Sequence, residues 1–162
     1  MKTERRREIE DYANTIRAHH GVNDKSMLDF VKHLGGTVSV ILEGMGSYPG
    51  VYKVKDSFHI KILNAKGIAR DKDIVHMLGH LYVHMGFGVD ATWKYASDYI
   101  DDLAFITFYT MSENEAEAFA KVLLSTNTAY QNLLKRDNDR LDEIRRLKNR
   151  IRELEKTVID GE

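Results

Sequence analysis

Ile9, Tyr12, Ala13 and Ile16 recur at three- and four-residue intervals among charged and polar neighbours, which predicts a helix over about residues 3–20. Gly21 is placed to stop it. Asn23 or Asp24 can cap a second helix with the apolar face Met27, Leu28, Val31 and Leu34, ended by Gly35-Gly36. The period then changes. Residues 37–42 are β-branched and partly alternating, as in a strand, and Gly44, Gly46 and Pro49 punctuate the loop before Gly50-Val51-Tyr52-Lys53-Val54. Lys55-Asp56-Ser57 reads as a turn into a further strand, where Phe58, Ile60 and Ile62 face one way and His59 and Lys61 the other. The expectation is a small antiparallel sheet after two helices.

Helical spacing returns from Asp71, with residues 72–85 strongly apolar and Gly86-Phe87-Gly88 ending the run. Residues 89–112 are looser, contain the only tryptophan (Trp93), and are expected to hold a helix around 95–109. Residues 113–124 form another helix with Ala116, Phe119, Ala120 and Leu123 on one face. The tail has no glycine, proline or aromatic residue from 133 to 158, and Ile144, Leu147, Ile151, Leu154 and Val158 step by 3, 4, 3, 4. That is a coiled-coil seam of roughly two heptads. It serves either a long helix docking on its own domain or pairing with a second chain, a possible homodimer through the C-terminal helix. The pattern predicts an α+β fold, with a domain over 1–128 and a charged helix over 129–162.

Length and composition fit one domain with a short appendage: 162 residues, 43 % hydrophobic and 30 % charged. Charge is balanced, 24 Lys+Arg against 25 Asp+Glu, so binding nucleic acid by bulk charge is not expected. The run Arg5-Arg6-Arg7 is offset by Glu4, Glu8 and Glu10, and the basic stripe over 140–152 reads as solvated helix surface. The absence of cysteine excludes disulfides, thiolate metal sites and thiol catalysis. No apolar run approaches the ~20 residues that span a bilayer, and none follows the basic N-terminus, so no membrane contact and a cytoplasmic location are expected.

The candidate chemistry lies in Ile74-Val75-His76-Met77-Leu78-Gly79-His80-Leu81-Tyr82-Val83-His84. On a helix, His76 and His80 stand one turn apart on one face, where two imidazoles can reach one metal ion. Zinc, at ~2.0–2.1 Å from each nitrogen, needs at least one further protein ligand. His84 continues the face, but it lies roughly 12 Å from His76 at ~1.5 Å per residue, too far for one ion to take all three on a straight helix. It is read as a supporting residue.

Four segments in order carry a resemblance: Gly50-Val-Tyr-Lys-Val54, Ile62-Leu-Asn64, the histidine segment from Asp73, and Glu113-Asn-Glu115-Ala116-Glu-Ala-Phe119-Ala120-Lys-Val-Leu-Leu124. Over about residues 24–125 the chain resembles the ImmA/IrrE family of metallopeptidase domains of phages, mobile elements and bacterial stress regulators. The resemblance implies a zincin-like helical core whose histidine helix carries H-E-x-x-H. A later helix, E-A-x-x-F-A, supplies the last zinc ligand. By that match His76, His80 and Glu115 hold zinc, with Glu113 the fallback and, like His84, otherwise a supporting residue. The implied partner is a repressor-type transcription regulator, as in an antirepressor.

The sequence departs from the family at Met77, where the motif has its glutamate. That glutamate takes a proton from the attacking water and passes it to the leaving amine. A thioether does neither, and loss of a general base costs ~10²–10⁴-fold in rate. No residue is therefore assigned a catalytic role, while metal binding does not need the missing glutamate. The expected function is a catalytically impaired, zinc-binding, metallopeptidase-like protein that binds a regulator. The alternatives are an active zinc endopeptidase using another base, such as an acid among Asp90, Asp98, Asp101 and Asp102, and a metal-free oligomerisation module.

Overall fold

A computed structural model of the chain describes residues 1–22, 26–42, 48–94, 109–125 and 128–159. The proposed caps Asn23 and Asp24 and the helix expected around 95–109 fall almost wholly outside these residues. In chain order the elements are α1 (Thr3–His20), α2 (Met27–His33), β1 (Thr37–Val40), β2 (Gly50–Val54), β3 (Ser57–Ile62), α3 (Gly67–Val83), α4 (Tyr109–Leu124) and α5 (Thr128–Ile159). The fold is α+β. The chain divides into two compact units, Met1–Asn127 and Thr128–Glu162.

The sheet is mixed, not antiparallel. Its order is β1-β3-β2, with β3 pairing antiparallel to β2 (Val51 opposite Ile60) and parallel to β1 (Val38 opposite Ile60). β2 and β3 form a hairpin through Lys55-Asp56, with Lys55 left-handed at φ 54°. The chain from β1 thus crosses to the far edge before returning through the centre. Alternation along a strand fixes which side chains are buried but not the direction of the neighbour, and that is where the expectation failed. The alternation itself is observed: Phe58, Ile60 and Ile62 are buried, while the His59 ring lies on the other face against Thr37 Oγ1 (2.7 Å) and Ser39 Oγ (2.8 Å).

The buried face of β3 joins a core built from Ile9, Ala13 and Ile16 of α1, Met27, Phe30 and Val31 of α2, Ile74, Leu78 and Leu81 of α3, and Ala116, Phe119 and Leu123 of α4. Aromatic rings stitch these layers together. Tyr82 stacks on Phe119 at 5.6 Å, and Phe87 meets both Tyr82 (5.5 Å) and Phe58 (5.2 Å) edge-on. α1 runs beside α4 in the same direction: Arg5 meets Glu115, and Arg17 donates to Val122 O (3.3 Å) and Ser125 Oγ (2.6 Å).

α3 begins at Gly67, ahead of the expected start at Asp71: Ile68 and Ala69 continue the helix and Arg70 pairs with the buried Asp71 at 2.9 Å. α4 likewise starts earlier, at Tyr109. In the second unit α5 is one uninterrupted helix of 32 residues, and its seam residues Ile144, Leu147, Ile151 and Leu154 are 49–57 % exposed. No helix among the described residues is long and apolar enough to cross a membrane.

Candidate metal centre

Three features of the chain bring the histidine face of α3 against α4. Asp73 anchors the strand-to-helix connection: its Oδ2 accepts hydrogen bonds from the backbone N–H (3.1 Å) and side-chain amide (2.9 Å) of Asn64. The i, i+4 spacing of His76, His80 and His84 then puts their rings in a row, with centroids 4.9 Å and 5.3 Å apart. Gly79, between them, lets the helices approach closely. A Cβ on Gly79 would lie 2.7 Å from Ala116 O and 2.8 Å from Ala116 Cα, so only glycine permits this backbone contact without a shift.

The close approach delivers Glu113 to the first two histidines. Its Oε2 lies 2.9 Å from His76 Nε2 and its Oε1 3.3 Å from His80 Nε2, while the two Nε2 atoms are 3.2 Å apart. One donor atom from each of His76, His80 and Glu113 falls within 4.8 Å of the others, and this group can hold a metal ion. The donors fit one: ligands at ~2.0–2.1 Å around a tetrahedral centre stand ~3.3 Å from one another, close to the separations observed. Two imidazoles and a carboxylate form a nitrogen–oxygen set that suits zinc and neighbouring divalent transition ions.

Burial sets the protonation of the central ligand. His80 is 1 % exposed, and desolvation, reinforced by its neighbours His76 and His84, pushes its pKa down to about 3. The ring is therefore neutral at ordinary pH, the form that binds a metal.

Behind the donors runs a hydrogen-bonded chain. His80 Nδ1 is 3.2 Å from His84 Nδ1, His84 Nε2 is 3.1 Å from Glu115 Oε2, and Glu115 accepts from Arg5 Nε (3.0 Å) and Nη2 (3.2 Å). When His80 Nε2 presents its lone pair to an ion, Nδ1 carries the proton and donates to His84, whose Nε2–H then donates to Glu115. The chain thus fixes the His80 tautomer and ring orientation. Arg5 holds the Glu115 carboxyl below its ordinary range, and burial lowers His84 against the opposing pull of Glu115.

Of the residues singled out in the sequence, His76 and His80 converge. Glu113, the fallback, takes the place beside them expected of Glu115. Glu115, the expected ligand, is two residues further along α4, and that offset turns it to His84 and Arg5. His84 sits one step removed from the donors. Met77 is half-buried. Two residues of the site carry no signal in the sequence: Arg5, expected on a solvated face, and Glu117, whose Oε2 is 3.8 Å from His76 Nδ1. No spacing links Arg5 to a residue 110 positions away. Gly79 did carry a signal, because a glycine inside an apolar helix costs ~1 kcal/mol relative to alanine and implies a packing reason. Of the acids suggested as substitute bases, Asp98, Asp101 and Asp102 lie outside the described residues, and Asp90 is engaged by Thr92 Oγ1 at 2.7 Å. No family model matches the chain, and no curated protein or solved structure does either.

Proposed function

We propose that the unit over residues 1–127 is a zinc-binding, metallopeptidase-like domain of the ImmA/IrrE type that binds a repressor-type transcription regulator of a phage or mobile element, with little or no turnover. The observation that carries this reading is the convergence of His76, His80 and Glu113 with donor separations of 2.9–3.3 Å, next to a methionine at the general-base position. Bound zinc would supply Lewis-acid polarisation of a carbonyl oxygen. The chain's own groups hold and orient the ligands but offer little proton transfer. Glu113 faces the histidines, Glu115 is held by Arg5 and His84, and Glu117 lies on the Nδ1 side of His76, behind the ring. Impaired catalysis follows from that arrangement, and the binding of a target rests on the resemblance. The identity of the target rests on the resemblance in the order of the motifs.

Elemental analysis of protein purified without a metal-affinity step tests the reading, with about one zinc per chain expected. Metal-free protein that takes up none on dialysis would overturn it. A regulator substrate then separates binding from cleavage. The parent should bind without cleaving, and Met77→Glu should gain cleavage by roughly 10²–10⁴-fold. Equal cleavage by parent and variant would assign the chemistry to another base.

A further inference from the structure

We infer that α5 pairs with α5 of a second copy of this chain as a parallel, in-register, two-stranded coiled coil over residues 143–158. The inference is independent of the metal centre. With Ile144 at heptad position a, Ile151 and Val158 also fall at a, and Leu147 and Leu154 at d. β-branched residues at a with leucine at d is the combination that favours two parallel strands. Positions b, c and f between 145 and 156 hold only polar or charged residues, so this stretch of the helix has one apolar seam. Towards the N-terminus the next a and d positions are Asp137 and Arg140, and the seam stops there.

The flanking charges select the orientation and the register. In a parallel pair each g residue lies beside the e residue five positions further along the partner. Here those pairs are Glu143 with Lys148 and Arg150 with Glu155, opposite in sign both times and repeated on both sides of the dimer. A slip of one heptad sets Glu143 beside Glu155, or Arg150 beside Lys148. An antiparallel pair with Ile144 against Leu154 sets Arg150 against its own copy and Lys148 against its own copy. The alternatives therefore meet like charges where the in-register parallel pair meets opposite ones. Within each helix Arg150 is also 3.4 Å from Glu153, a contact at exposed side chains that leaves it within reach of a partner.

A seam this short gives a weak dimer. Sedimentation equilibrium of the full chain across roughly 10 μM to 1 mM should show monomer passing to dimer. Ile151→Asp should weaken association at least about 100-fold by burying a carboxylate from each copy. Glu143→Lys should weaken it about tenfold, and the double variant Glu143→Lys with Lys148→Glu should restore it. Since the chain has no cysteine, Leu147→Cys reports geometry directly: mild oxidation should link two copies only when equivalent d positions meet. A monomer throughout the range, a dimer indifferent to Ile151→Asp, or a dimer in which Leu147→Cys does not cross-link would each overturn the inference.

Discussion

Replacing Gly79 by alanine should destabilise the protein, although the same change in an exposed helix normally adds about 1 kcal/mol. The new Cβ lies 2.7 Å from Ala116 O, 2.8 Å from its Cα and 3.1 Å from its carbonyl carbon. Ordinary contacts between carbon atoms are ~3.5–4.0 Å, so α3 and α4 must part by roughly 0.7–1 Å. Overpacking of this kind costs ~1–3 kcal/mol. The obstacle is backbone, which cannot rotate away, and that places the cost towards the upper end. After the propensity gain the net loss is about 1–2 kcal/mol. Glu113 lies on α4 three residues before Ala116 and moves with it. Since a workable site holds its ligand distances to about 0.2 Å, metal affinity should fall about tenfold or more. Urea unfolding of metal-free protein reads the first effect and a zinc titration the second. Ala116→Gly should not rescue Gly79→Ala, because it removes none of the three obstructing atoms. A gain of about 1 kcal/mol from Gly79→Ala, or full rescue by Ala116→Gly, would refute the helix contact as read.

Glu113→Gln should weaken zinc binding more than Glu115→Gln, whose effect should stay within the ~10–100-fold typical of groups that orient a ligand; competition with a chromogenic chelator measures both, and the reverse order would reassign the third ligand. Metal-free protein should lose stability as pH falls below about 6.5, the value of unfolded histidine, towards the folded His80 value of about 3. The unfolded chain binds the extra proton in that window, so the limiting slope is about 1.4 kcal/mol per pH unit, and it should be shallower in His80→Gln; urea midpoints in the presence of chelator from about pH 7.5 to about pH 5 measure the difference. Phe119→Ala should cost about 3–5 kcal/mol in chemical denaturation, because the ring is fully buried and stacked on Tyr82.

The sequence exposed what depends on local periodicity and hid what depends on contacts between distant segments. Ile9, Ala13 and Ile16, the triplet Phe58, Ile60 and Ile62, and Ala116, Phe119 and Leu123 are buried as their spacing required, because one face of an element must be covered whatever covers it. The direction of β1 relative to β3 follows from the path of the intervening chain, about which alternation is silent. The same division holds at the site. The i, i+4 rule placed His76 beside His80 and set His84 apart from the shared donor cluster. The choice between Glu113 and Glu115 depends on the rotation of α4 about its axis when it packs on α3, and that rotation is set by Gly79 and Ala116 meeting backbone to backbone. A motif aligned by sequence has no access to that angle. Arg5 is the extreme case: one of three consecutive arginines on an otherwise exposed helix turn, it is distinguished from Arg6 and Arg7 only by facing α4.

Because the nitrogen donors come from α3 and the carboxylate from α4, an ion bound here would be a cross-link between two helices whose packing also forms the core. Metal binding and folding are then coupled, since the unfolded chain does not present the donors together. At a free metal concentration 100 times the dissociation constant the coupling adds about 2.7 kcal/mol, more than Gly79→Ala is expected to remove. Such a role needs no proton transfer, which the thioether of Met77 could not perform. It needs His80 kept neutral and correctly turned, which burial and the chain through His84, Glu115 and Arg5 provide. The contribution of the network lies in holding α3, α4 and α1 in one arrangement around the donors. On that account Arg5→Ala, far from the ion along the chain, should lower zinc affinity in a titration without altering the number of ions bound. Unchanged affinity would leave the Arg5–Glu115–His84 path with no part in the site.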